Sequence, residues 1–179
     1  LLLKFFNLHL KGIIPSDIQQ PKQQFWDITK KEWNTNKAQI PLTSSQWGLI
    51  SNGDACFDDS KGELKLNEEG AGWFELVHDP WRPVPAIGGH LGVEPGEADR
   101  SKLDLRSDIA IFTSEPMSEE LRIEGIPTLQ LNTQCDRECF DLFVALSIIP
   151  KSMNTVRQLS TGVLRINHSE LEIEAQREI

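Results

Sequence analysis

Between Phe140 and Ile149 the chain reads FDLFVALSII, and its apolar residues recur at every second position. Leu142, Val144, Leu146 and Ile148 fall on one side of an extended backbone, and Phe143, Ala145 and Ser147 on the other. A period of two cannot make one face of a helix, where residues of like character stand three or four apart. The pattern returns where Leu129 and Leu131 alternate with Gln130 and Asn132. It returns again where Val163, Leu164 and Ile166 follow Thr161-Gly162, a turn signal. Asn52-Gly53, Lys61-Gly62, Glu69-Gly70, Pro95-Gly96 and Gly125 punctuate the chain at the intervals expected between strands of a sandwich. The pattern predicts a mainly β fold of two packed antiparallel sheets.

Helical spacing is confined to the start of the chain, apart from at most one turn over residues 117–121. In LLLKFFNLHLKG, Leu2, Phe6 and Leu10 share a stripe that Phe5 widens, with His9 expected on the polar side and solvated. Gly12 stands where a C′ glycine would stop a helix. So short a helix is marginal in water and cannot bury its own apolar face. Residues 1–12 are therefore expected to be the last helix of a preceding domain. Residues 13–24, with two prolines, four glutamines and little apolar content, read as a linker. Residues 25–179 read as the β-domain, and a chain of 179 residues suffices for one such core. The chain opens without methionine and the first is Met117, so it reads as a piece of a longer polypeptide.

A net charge of −9 argues against nucleic acid as a partner, because phosphate binding needs a basic face. The longest apolar runs, such as 109–112 or 146–149, are too short to span a bilayer. The opening lacks the basic region and small-residue cleavage site of a secretory signal. The three cysteines, Cys56, Cys135 and Cys139, are an odd set without the second pair a zinc site needs. They read as free thiols in a reducing, cytoplasmic setting, with no metal and no cofactor expected. Asp58-Asp59 with Glu63, or Asp104 with Asp108, could offer oxygen ligands to calcium, but no calcium-loop signature accompanies them.

Self-contained hydrolysis lacks its parts. A hydrolase nucleophile elbow needs Gly-x-Ser-x-Gly, and no serine here follows a glycine by two. Ser114, with Glu115 beside it, is better suited to capping the turn that Pro116 forces. His78 and Asp79 would point to opposite faces of a strand, and Asp79 before Pro80 reads as a turn residue. The segment 77–100 differs in kind, with three prolines up to Pro85 and then Gly88-Gly89, Gly92 and Gly96. A long loop of this composition is usually functional or packs on a partner, and His90 within it could face a neighbouring site. The five tryptophans (Trp26, Trp33, Trp47, Trp73 and Trp81) leave open a free-standing carbohydrate-binding module with a stacking platform. The rival use of such residues is to fill the core and a domain interface.

One ordered set of motifs goes further. Arg106-x-Asp108-Ile109-x3-Thr113-Ser114-Glu115-Pro116-Met117 resembles a signature of the C-terminal domain of the X-prolyl dipeptidyl peptidase and cocaine esterase family of serine hydrolases. Asp79-Pro80-x2-Pro83-Val84-Pro85-x2-Gly88-Gly89 is the most family-specific element. Phe5-Phe6-x3-Leu10-Lys11-Gly12, Gln46-Trp47-x-Leu49-x-Ser51-Asn52-Gly53 and Thr161-Gly162-x-Leu164-Arg165 match in the same order. The resemblance implies a jelly-roll β-sandwich of the galactose-binding type with a short N-terminal helix. Its implied partner is an upstream α/β-hydrolase domain of the same polypeptide, whose Ser-Asp-His triad cleaves amides or esters. No triad residue maps onto this chain. The loop after Gly88-Gly89 lies near the substrate pocket in relatives, so His90 and Leu91 become candidates to line its acyl side. Subunit contacts in a homo-oligomer are a further role the resemblance allows.

Two departures stand out. Lys30-Lys31-Glu32-Trp33 keeps the family's tryptophan but lacks the glycine that usually precedes it. Relatives also continue past Leu164-Arg165 into a further strand pair with a Gly-His segment. Either this sandwich is incomplete at its C-terminal end, or Leu171-Glu-Ile-Glu-Ala175 belongs to a later strand. Within the signature, Ile109, Ile111 and Phe112 are expected to form a central strand that Pro116 ends by removing a donor. Arg106 and Asp108, two apart, are expected to share a face and could pair.

Overall fold

The computed structural model describes residues 2–13, 24–35, 44–58, 61–89, 95–152 and 155–167. They fall into two compact units, Leu1–Pro41 and Leu42–Ile179.

In the first unit, α1 (Leu2–Lys11) ends at Gly12, whose φ of +65° is the left-handed conformation a C′ glycine supplies. The Ile13 amide then turns back to the Asn7 carbonyl at 3.0 Å, folding the chain over the end of the helix. His9 is exposed but not on the polar side: its ring lies 4.4 Å from that of Phe5, one turn earlier. A separation of four residues places both on one face. The strands β1 (Gln24–Asp27) and β2 (Glu32–Thr35) pair antiparallel, with Trp26 opposite Trp33. The Asp27 carboxylate closes their turn by accepting from the amides of Thr29 at 3.0 Å and Lys30 at 2.8 Å. The missing family glycine bears on this turn, where Lys31 is held at φ 54°.

The second unit holds β3 (Trp47–Gly53), β4 (Gly62–Leu66), β5 (Ala71–Phe74), β6 (Ala98–Asp99), β7 (Cys139–Ile148) and β8 (Arg157–Asn167). They form two three-stranded sheets, ordered β4-β3-β5 and β6-β8-β7. Among the described residues the mainly β class with one short helix is as the periodicity predicts. The expectation that the sheets are wholly antiparallel needs correction, because β5 runs parallel to β3. Gly72 allows the close approach: at φ +88° its missing Cβ would sit 1.6 Å from the Ser51 carbonyl oxygen.

The signature segment also differs from expectation. Residues 109–112 form no ladder strand; the chain joins β4 just after them by one parallel bridge, Thr113 to Glu63. The Ile111 amide donates to Ala55 O at 2.9 Å, Thr113 N–H to Gly62 O at 3.0 Å, and Leu64 N–H to Thr113 O at 3.0 Å. The Ile111 carbonyl oxygen occupies the place of a side chain at Gly62, 1.8 Å from where a Cβ would be. The next residue, Phe112, packs edge-on to Phe74, with ring centroids 5.2 Å apart. Leu129 and Leu131 are half-buried between exposed Gln130 and Asn132, so the alternation holds although no strand forms there. Among the described residues the buried apolar side chains are Ala55, Cys56 and Ile166, the first two just after β3 and the last on β8.

Thr161-Gly162 is not a turn. It lies inside β8, opposite Ala145 and Val144 of β7, because the ladder with β7 runs the length of both strands. The one irregularity falls beside Leu159: Leu146 faces Ser160, but Ser147 faces Gln158. A residue inserted on one strand shifts the facing of everything beyond it. Gln158 therefore shares its side of the sheet with Thr161, and both approach the Gly88-Gly89 backbone.

Candidate functional site

The proline-rich segment 77–89 carries little secondary structure, yet hydrogen bonds to side chains and to Gly96 tie it to the rest of the second unit at several points. Asp79 starts a turn by accepting the Trp81 amide on Oδ1 at 2.9 Å and the Arg82 amide on its carbonyl at 3.1 Å. The Arg82 carbonyl then accepts from Arg106 Nη2. Arg106 is itself aimed by Asp108 through Nε to Oδ1 at 2.7 Å and Nη2 to Oδ2 at 2.6 Å. This is the pairing that the two-residue spacing suggests, made in a turn rather than on a strand. The hydrogen bond and the charge of Arg106 hold the Asp108 carboxyl below the usual carboxylate range.

Five residues along, Gln158 Nε2 donates to the Ile87 carbonyl at 2.7 Å. Its Oε1 accepts from Arg100 Nη1 at 2.9 Å, and Arg100 is fixed by Asp104 through Nε and Nη2, both at 3.0 Å. Gln158 is 1% exposed and Arg100 6%, so this polar chain is out of water and each member needs its partner. Gly88 fits there because it has no side chain: a Cβ would stand 2.6 Å from Gly96 O and 2.8 Å from Ala98 Cβ. Gly89 and Gly96 exchange both backbone hydrogen bonds, at 2.9 and 2.8 Å. They form a narrow base from which the chain leaves and returns. His90 and Leu91 follow Gly89 directly and lie outside the described residues.

The other candidates are placed as follows. Asp104 and Asp108 are each committed to an arginine and Glu63 to Lys65 at 2.8 Å, while Asp59 lies outside the described residues. Among the described residues no three His, Cys, Asp or Glu side chains gather as a metal site would require. The cysteines are free thiols, and buried Cys56 donates to the Glu75 carbonyl at 3.1 Å. Ser114 is half-buried just after the Thr113 bridge, and His78 is exposed. Trp26 and Trp33 meet edge to face, their planes inclined at 66°. Trp47 is half-buried, whereas Trp73 and Trp81 are exposed. Neither Gln158 nor Arg100 is legible as a clamp in the sequence. A glutamine within a strand carries no signal of its own, and only the irregularity at Leu159 turns it toward the loop.

The model of the X-Pro dipeptidyl-peptidase C-terminal non-catalytic domain matches residues 16–176. The chain belongs to this family. The match takes in the clamped segment 77–89, both arginine pairs and all of β7 and β8. No curated protein and no solved structure matches the chain. Family membership agrees with a site composed of clamps and a loop base, in a family described as non-catalytic. No helix among the described residues is long and apolar enough to cross a membrane.

Proposed function

We propose that the chain is the galactose-binding-like jelly-roll domain of a cytoplasmic serine hydrolase, and that its 77–96 loop covers the active site. In this reading residues 1–12 close an upstream α/β-hydrolase domain, 13–24 link the two, and 25–179 make the sandwich. The upstream domain supplies the nucleophilic serine, the histidine base, the aspartate that orients it and an oxyanion hole. Substrates are X-Pro dipeptidyl amides or related esters. The sandwich contributes a pocket wall that excludes water, with His90 and Leu91 on the acyl side, and offers surface for subunit contacts.

The observation that carries this reading is the family match, joined to a loop whose base is held at the Arg82 and Ile87 carbonyls. Structure invested in holding one loop is what a precise pocket wall requires. The carbohydrate-module reading draws no comparable support, since the Trp26 and Trp33 rings stand edge-on rather than forming one flat platform. The test uses the full-length polypeptide. It should react with a fluorophosphonate probe and release the chromophore from an X-Pro-p-nitroanilide. Leu91→Ala should raise KM about tenfold, the loss of roughly 1.4 kcal/mol of apolar contact, with labelling retained. A full-length protein that neither labels nor cleaves would overturn the reading.

A further inference from the structure

Trp81 is 92% exposed, more than any other large apolar side chain among the described residues. A single exposed apolar residue is ordinary. Its mounting is not. The Trp81 amide is held by Asp79 and the following carbonyl by Arg106, which is fixed in turn by two hydrogen bonds to Asp108. Pro80 before it and Pro83 after it each lock φ. The indole is thus presented on a backbone that has little freedom left to lose on binding. Beside it, exposed Arg82 makes no ion pair within 4 Å among the described residues, its charge reaching Asp108 only from a distance. Tryptophan and arginine are the side chains that most often anchor protein interfaces, one by filling a pocket and the other by meeting a carboxylate at its rim.

We infer that Trp81 and Arg82 form an interdomain anchor, the indole entering an apolar cleft with a carboxylate at its edge on the upstream catalytic domain. The inference rests on the reading proposed above and adds to it the contact that seats the loop. The occupant follows from continuity along the chain. Trp81 precedes Gly89 by eight residues, and both belong to one segment tied to the same sandwich. A domain that meets the chain beyond Gly89 is brought to Trp81 by the same approach.

The experiment replaces Trp81 with the photo-crosslinker p-benzoylphenylalanine in the full-length polypeptide, irradiates at micromolar protein and maps the joined peptides by mass spectrometry. The expected product joins the peptide containing position 81 to one that precedes Leu1 in the same molecule. Tethering should favour it over intermolecular products by about a hundredfold. Joining chiefly to another copy, or to no protein at all, overturns the anchor. Fluorophosphonate labelling of the same preparation separates the two claims. Labelling without the internal crosslink removes the anchor and leaves the hydrolase reading standing; the crosslink without labelling removes the hydrolase reading and leaves a docking contact.

Discussion

Gln158 on β8 reaches back 71 positions in the sequence to hold the carbonyl of Ile87 at 2.7 Å, while its other amide atom receives Arg100 at 2.9 Å. One side chain thereby couples the glycine pair of the loop base to an arginine–aspartate pair beneath it. The arrangement is all-or-none in character, since removing the amide leaves a carbonyl and a guanidinium N–H without partners in a site that excludes water.

Gln158→Leu keeps the volume and removes both hydrogen bonds. It should cost about 2–4 kcal/mol, the sum of two stranded polar groups. Urea unfolding of wild type and variant at equal protein concentration measures it, and a midpoint shift within error would mean the amide is dispensable.

Gly62→Ala should be among the most damaging single changes. The added carbon would lie 1.8 Å from the Ile111 carbonyl oxygen, a backbone atom that cannot step aside alone. Displacing the signature segment should cost about 3 kcal/mol, at the upper end of overpacking penalties. Loss of the Ile111 and Thr113 amides from the slow-exchanging set would report the displacement directly.

The turn at Lys31 makes the opposite prediction. A lysine at φ 54° bears a cost that glycine avoids, so Lys31→Gly should stabilise the hairpin by about 0.5 kcal/mol after glycine's extra unfolded-state entropy is subtracted. Lys31→Val, β-branched at the same φ, should destabilise by about 1–2 kcal/mol. Thermal midpoints that rank Val above Gly would contradict this.

The acid limb of stability should follow the lowered carboxyls. The Asp108 pKa is pulled down first by its hydrogen bond to Arg106 and then by that residue's charge, and Asp141 is lowered in the same way by Arg165. A folded pKa below the unfolded value gives stability that is fully present above about pH 4, the unfolded value. It is lost as pH falls through the lower folded value. Thermal midpoints should therefore hold steady from neutrality to about pH 5 and drop below about pH 4. Asp108→Asn should lower the neutral midpoint and flatten that drop. An unchanged slope would show that Asp108 does not contribute to it.

Much of the layout is legible before any coordinates. The two-residue period is the burial pattern of β7 through Val144, because alternation is a local property of an extended chain with one face more buried than the other; beyond it Ala145 to Ser147 are all half-buried and Ile148 is exposed, next to the register shift. Gly12 ends α1 and Asp79 starts its turn for equally local reasons of φ and short-range hydrogen bonding. The Arg106–Asp108 pairing is visible from spacing, although the turn that makes it is not. Other features depend on what another part of the chain does. Thr161-Gly162 has the composition of a turn but is drawn into β8 by the ladder with β7. Residues 109–112 have the composition of a strand but give up their ladder to Ala55 and Gly62. The inward aim of Gln158 follows from one extra residue on β8, invisible without a partner strand to count against. Local conformational preference is written residue by residue; facing, register and which carbonyl a buried amide finds are set by segments far apart in the chain, and exist only once those segments have met.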